Sequence, residues 1–541
     1  MANFSSSNSR YGQQAQEATT TGPLGSATTK KGKSKTGDNF NGAEGFKQNA
    51  KSELFLTAVS CMLGEPTFYE TADERVDRIQ RLTAKVTKDD PEWVERFVPW
   101  LRGTANMRTV SIAVACEYIK AGGPNGRAVI ASAIQRADEP MEALAYWMHY
   151  YYNQSPGRFR KSPQLPQALR KGIADGANRV WNEYSVLKYD TNSRGVTMAN
   201  VLNLTHAKPV DQLRADLFKF IIDRAYKRDV NTSRLPKINK QLSLREVPQD
   251  QRRAMVTPEL ISEAGFTWEQ VSGWVGGEWT AELWEAVIPS MPYMAMLRNL
   301  RNFDQAGISN EMIEYVIKQL TTPEIVARSR QLPYRFYNAY KNTDSDNWKR
   351  ALGIAMDLAT PNVPALPGRS LVLCDSSGSM TWHAGQFGRG TGRATPTVPA
   401  ELAAVFGAIL YKRAIQSGNE CDLFFFDSTS RPWNMSPTVS IPQAVADARA
   451  AMQGGATRTW EAVTQRYDGH DRVIILSDMQ NHPGNTAVEK NIPFIHAYNL
   501  NGYPKVMIDG NKPGRYNYGG FSDACFALMG TLEQYSQDWP F

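Results

Sequence analysis

Three short stretches of the chain carry oxygen ligands that a fold could gather around one ion. Asp375, Ser377 and Ser379 lie in DSSGS, where a DxSxS spacing lets one tight loop present a carboxylate and two hydroxyls. Asp478 closes the run ILSD, and a glycine-rich loop, GGATRT, runs from Gly454 to Thr459. An all-oxygen set suits a hard cation such as Mg²⁺. Two carboxylates and neutral hydroxyls leave such an ion short of negative charge, so a carboxylate or phosphate from a partner would complete its shell. That is binding chemistry. The sequence shows neither the carboxylate cluster of a two-metal nuclease nor a positioned base, and a non-enzymatic protein is expected. Cys374, beside Asp375, reads as a buried strand residue.

These residues need a scaffold that brings strand ends together. SLVLCD, CDLFFFD, RVIILSD and PFIHAYNL read as strands, and Pro399–Ser417, Ile441–Met452 and Trp460–Tyr467 as helices between them. Strands that are apolar almost throughout are buried on both faces, as in a parallel doubly wound sheet, whose ligands sit at the strands' carboxyl ends. A glycine-, arginine- and threonine-rich insertion, His383–Val398, follows the DxSxS loop. It either covers the ion, adds a basic contact, or is a plain loop.

The character of the chain changes at PNVPALP, residues 361–367, so the sheet domain is placed at 366–541. Before it, residues 51–365 show apolar residues three and four apart, as in TADERVDRIQRLTAKV and DPEWVERFVPWLR. In the second, Asp90 and Pro91 form a cap followed by proline in the first turn. Further helices are expected at Val110–Ala121, Arg127–Arg136, Met141–Tyr152, Leu165–Lys188 and Leu213–Lys227. Helices that succeed one another without strands indicate an α-solenoid of HEAT-like pairs. Residues 1–50, rich in Ser, Gly, Thr, Asn and Gln with a basic KKGKSK, read as a disordered tail.

Charge is concentrated in the helical half. From Arg158 to Arg253 there are 20 Lys and Arg against 9 Asp and Glu, a balance of +11, whereas the 541-residue chain as a whole carries +7. A basic stretch on a helical scaffold is an electrostatic footprint for polyanions; the alternative is a set of solvated helix faces with ion pairs. Aromatics interleave with it: Tyr150, Tyr151, Tyr152, Phe159, Trp181, Tyr184 and Tyr189. Some could stack single-stranded bases, although helix-core packing accounts for most of them. Five widely spaced cysteines without a CxxC pair argue against a zinc site or disulfide framework. With no long apolar run and no apolar core in the opening residues, a cytoplasmic protein is expected.

Two resemblances follow from these residues. DSSGS, the glycine-rich loop and ILSD are similar to the metal-ion-dependent adhesion site of von Willebrand A domains. That similarity implies Asp375, Ser377, Ser379 and Asp478 as ligands, with Thr457, or failing that Thr459, as the threonine. QALRKGIADGANRVWNEYSVLKYDTNSRG, NVLNLTHAKP, MPYMAMLRNLRNF and LPYRFYNAYK resemble the TROVE module of the Ro autoantigen family, and the order of helical module then A domain is that family's. The resemblance covers nearly all of residues 51–541. It implies a helical-repeat ring closed by the A domain. It also implies binding of a small Y-like RNA and of the 3′ single-stranded ends of misfolded noncoding RNAs. In bacterial relatives a 3′ exonuclease, polynucleotide phosphorylase, is a further partner. RNA-binding positions carry over to Lys188, Arg194 and His206; Arg170 and Lys171 are added on charge and proximity. The rival readings are a protein-interaction module that grips acidic groups through its metal, and a metal-dependent nuclease.

Overall fold

The computed structural model describes residues 35–39, 41–46, 48–60, 71–152, 165–190, 195–381, 398–501, 503, 505–520, 524–535 and 538–541. They form two compact units. One is Ile79–Val316; the other joins the described residues up to Arg78 with Ile317–Phe541. Among the described residues no helix is long and apolar enough to cross a membrane.

The first unit is built of helices stacked in succession. The helix Pro91–Gly103 starts where Asp90 accepts a hydrogen bond from the Trp93 amide and Pro91 sets the first turn. Its apolar stripe, Trp93, Val94, Phe97, Val98 and Leu101, is fully buried. A buried ion cluster ties the next helices together. Glu139 takes Arg102 at 2.8 Å and Arg108 at 3.1 Å on one oxygen, and the amides of Gln135 and Arg136 on the other. That complete set of donors is what makes a buried carboxylate tolerable. The helix Gln167–Val180 packs against Gly126–Ala133. A Cβ on Gly172 would lie 2.3 Å from Ile130 and 2.6 Å from the Arg127 carbonyl, so glycine sets the approach of these two helices.

Two expected helices have different limits. Leu165–Lys188 is two helices, Gln167–Val180 and Glu183–Tyr189, broken at Trp181 and Asn182. The Asn182 side chain accepts from the Ser185 amide at 2.9 Å, and the Ser185 hydroxyl accepts from the Asn182 amide at 2.8 Å. This reciprocal cap starts a new helix more favourably than it continues the old one. The stretch Met141–Tyr152 is α-helical over Glu139–Trp147, then widens into a π turn over Met148–Tyr152.

The second unit contains strands β1 (Lys35–Asp38), β2 (Glu44–Phe46), β3 (Arg369–Asp375), β4 (Glu420–Phe426), β5 (Ser430–Pro432), β6 (Arg472–Ser477), β7 (Phe494–Asn499) and β8 (Arg515–Tyr518). Six form one sheet in the order β5-β4-β3-β6-β7-β8, parallel except for β5, which pairs antiparallel with β4. The expected parallel sheet thus gains an antiparallel edge. β6 is buried at every position, as its unbroken apolar run requires. Leu371, Leu373, Val473, Ile475, Ile495 and Ala497 fill one core face with Trp460 and Val463. β3 connects forward to β4 on one side and lies beside β6 on the other, so the carboxyl ends of β3 and β6 flank the sheet's topological switch point.

Residues 35–50 correct the expected tail. β1 and β2 form an antiparallel ribbon, and Asn39 is buried, donating to the Asn481 carbonyl at 2.9 Å. Composition missed this because the ordering comes from a polar anchor on a distant turn, not from apolar burial. Residues 1–34 and the insertion at 382–397 lie outside the described residues.

Candidate metal centre and cationic face

Asp375 ends β3 and Asp478 follows β6, so adjacent parallel strands deliver the two carboxylates to the switch point. Both are fully buried. Asp375 accepts from the Ser377 amide at 2.8 Å through one oxygen and from the Ser477 hydroxyl at 2.6 Å through the other. The Ser377 and Ser379 hydroxyls lie 3.3 Å apart. Asp478 accepts from the Gln480 amide at 3.1 Å, and its second oxygen is buried without a hydrogen bond of good geometry. Met479 takes a left-handed backbone conformation, φ 67°, which turns the chain sharply after Asp478.

The glycine-rich loop is held against these residues. The Gly378 amide donates to the Gly455 carbonyl at 3.1 Å. Gly455 has φ +145°, and a Cβ there would lie 2.6 Å from the Ser428 hydroxyl, so glycine is required. Thr457 is buried and its carbonyl accepts from the His482 amide. Thr459 is fully buried, and its hydroxyl has no hydrogen-bond partner among the described residues. Asp375, Ser377, Ser379 and Asp478 are therefore brought together, with both threonines on the adjoining loop.

Electrostatics sets the two carboxylates apart from a third. Burial pushes the Asp375 carboxyl up, and the neighbouring Asp478 carboxylate pushes it further. Burial likewise raises Asp478, partly offset by Ser379 and the Gln480 amide. Neither has a basic partner among the described residues. Asp427, which the sequence reading passed over, is equally buried but satisfied: Arg431 reaches it at 2.6 Å, the Ser376 hydroxyl at 3.0 Å and the Thr429 amide at 3.1 Å. An acid-rich pocket with one carboxylate neutralised and two left without countercharge fits a divalent cation bound by oxygen. Cys374 is buried against the Ala403 carbonyl, and burial raises its thiol far above the usual range, so it is inert.

The basic stretch of the helical unit resolves into two populations. Arg214, Lys219, Arg224, Arg228, Arg234 and Lys240 each have a carboxylate partner, and Arg252 is spent on the carbonyls of Val247, Trp274 and Arg245. Arg170, Lys171, Lys188, Lys208, Lys227 and Lys237 have no carboxylate partner among the described residues. Lys188 lies over the rings of Tyr184 and Tyr189, 5.6 and 5.2 Å from their centroids. Burial opposes its charge, but the two tyrosines outweigh this and hold its pKa above the usual value. His206 is exposed in a left-handed conformation, φ 52°, at the end of the helix Met198–Thr205. Arg170, Lys171, Lys188 and His206 thus stand on three separate helices, and no hydrogen bond among the described residues links them. Arg194 lies outside the described residues. Of the interleaved aromatics, Trp181 is fully buried and Tyr184 is exposed.

Comparison with known proteins gives a class first. Residues 262–349 match the TROVE domain, and MPYMAMLRNLRNF and LPYRFYNAYK both fall inside the match. Telomerase protein component 1 of Rattus norvegicus is 25% identical over 344 residues, and that of Mus musculus 23% over 343. Each alignment covers 55% of this chain and 13% of the relative's own length. The crystal structure of the Deinococcus radiodurans Ro (RSR) protein superposes with a TM-score of 0.66 at 20% identity, over 90% of this chain and 100% of that one. Part of the chain thus matches the TROVE domain, and the chain has the fold of a bacterial Ro protein, with a helical part and an A-like sheet domain, as its sequence resemblance implied.

Proposed function

We propose that this chain is a non-enzymatic RNA-binding protein of the Ro type. The observation that carries this reading is the set of uncompensated cations on the helical unit, Arg170, Lys171, Lys188, Lys208, Lys227 and Lys237, in a stretch whose other cations are largely spent on internal partners. Cations without a carboxylate partner are available to phosphates, which supply affinity without base sequence. In this reading Lys188, His206 and Arg194 contact RNA, and the TROVE module spans residues 51–365, with the A domain at 366–541. The ligands are a small Y-like RNA and the 3′ single-stranded ends of misfolded noncoding RNAs. The chain serves quality control, or scaffolds a 3′ exonuclease of the polynucleotide phosphorylase kind. The Ro fold and the TROVE match support this reading.

Asp375, Ser377, Ser379 and Asp478, with Thr457, would hold Mg²⁺; the buried hydroxyl of Thr459 makes it the alternative threonine. When bound, the ion supplies a positive centre to which an anionic group can attach. The uncompensated carboxylates favour one further role, capture of a partner's acidic group. Sequencing the RNAs that copurify with the full chain, with and without chelator, tests the proposal. Recovery of structured noncoding RNAs is expected. Metal-dependent recovery of protein without RNA would replace the proposal by a protein-interaction module.

A further inference from the structure

A cleft of about 380 Å³ opens in the helical unit beside the helix break at Trp181 and Asn182. Its size is that of a small-ligand pocket. Its floor is apolar: Trp181 and Leu235 are fully buried and Leu217 almost so, with the Trp181 indole N–H spent on the Ala137 carbonyl at 2.8 Å. Its rim holds two of the few large hydrophobics that stand exposed among the described residues, Tyr184 at 39% and Leu213 at 44%. A flat ring and an aliphatic side chain left in water beside a cleft are surface that a planar ligand would cover.

The polar groups of the cleft are mostly donors. Glu183 also lines it, and one oxygen of its carboxylate accepts from the amides of Lys237 and Ile238, at 2.8 and 3.1 Å. The Asn182 carbonyl oxygen is spent on the Ser185 amide, which leaves its NH₂ group as a donor with no partner among the described residues. Arg214 and Lys237 stand at the edge: Arg214 is only loosely paired, 3.7 Å from Asp211, and Lys237 has no carboxylate partner among the described residues. The cleft therefore offers an aromatic edge, an amide donor and two cations, beside one carboxylate, Glu183, held by two backbone amides.

We propose that this cleft receives one unstacked nucleobase of a single-stranded RNA. The base lies against Tyr184 and Leu213 over the Trp181 floor. The Asn182 NH₂ donates to a ring nitrogen or exocyclic oxygen of the base, and Arg214 and Lys237 take the flanking phosphates. Stacking of this kind tolerates any base and is worth about fivefold to a hundredfold in affinity per base. The proposal deepens the RNA-binding reading and rests on it.

The test uses the full chain and two labelled decamers, oligoadenylate RNA and the same RNA with alternating abasic riboses. Both carry the same backbone charge. Two variants perturb the cleft at its surface. Asn182→Ser keeps a capping oxygen and removes the donor without adding charge; Tyr184→Ala removes the exposed ring. Wild type is expected to prefer the intact decamer by at least about fivefold. Both variants should lose that preference while binding the abasic decamer as wild type does. Variants that keep the full preference overturn the cleft proposal and leave the RNA-binding reading standing. Failure of wild type to bind either decamer overturns both.

Discussion

Replacing Asp478 by Asn has an effect whose sign depends on metal. In the protein without metal, one Asp478 oxygen is buried without a good hydrogen bond, and the carboxylate raises its neighbour Asp375. An unsatisfied buried group costs about 1–3 kcal/mol, and a charged one more. Asp478→Asn keeps the shape and the acceptor for the Gln480 amide, removes the repulsion, and adds a donor beside Asp375. In chelator the variant should therefore be more stable than wild type by about 1–3 kcal/mol. Mg²⁺ reverses the order. A cation at a hundred times its dissociation constant stabilises the native state by about 2.7 kcal/mol, and only wild type keeps both carboxylates to bind it. Denaturant titrations of both proteins, with chelator and across a Mg²⁺ series, read the crossover directly. A variant less stable than wild type in chelator, or a wild type indifferent to Mg²⁺, would refute the reasoning.

The other expectations concern the groups around this site. Arg431→Met leaves Asp427 buried and unpaired, and should cost about 3 kcal/mol in urea unfolding; a loss below about 1 kcal/mol would show that Ser376 and the Thr429 amide suffice. His496 is fully buried between Tyr518 and Glu533, at 2.9 and 3.0 Å, and burial holds its pKa below the usual value although Glu533 opposes this. The unfolded chain therefore binds the extra proton first, so stability should fall as pH drops below about 6.5. Burial would raise Glu533, but hydrogen bonds from His496 and Arg472 outweigh it and lower its pKa, so a further loss follows as pH falls through about 4.5. Denaturation midpoints from pH 7.5 to 5.5 should flatten in His496→Gln; a wild-type midpoint constant over that window contradicts the assignment.

The parallel strands and the gathering of Asp375, Ser377, Ser379 and Asp478 were legible because their signals are local. An unbroken apolar run such as RVIILS admits few other placements, and DxSxS at its neighbour's end fixes the loop chemistry. The short edge strand β5 and the last strand β8, whose RYNY carries polar groups inward, lack that signature. Asn39 and Asn182 escaped for a related reason. Each acts through side-chain hydrogen bonds, Asn39 with Asn481, Asn41 and Ala43, and Asn182 with Ser185, and periodicity does not register such bonds. Net charge marked a cation-rich stretch but could not tell Arg252, spent on carbonyls, from Lys237 at the rim of a cleft without a carboxylate partner among the described residues. Asp427 was invisible because its countercharge, Arg431, lies on the next strand.

The central claim is that the cationic helices bind single-stranded RNA, and the affinity of the full chain for a hairpin with a 3′ single-stranded extension tests it most directly. Anisotropy across a salt series should show tighter binding than to the blunt hairpin, with log affinity falling linearly against log salt. Lys188→Glu should weaken binding about tenfold or more and make that slope shallower by about one unit. Absence of binding at low salt, or affinities that neither the extension nor Lys188→Glu alters, would contradict the account.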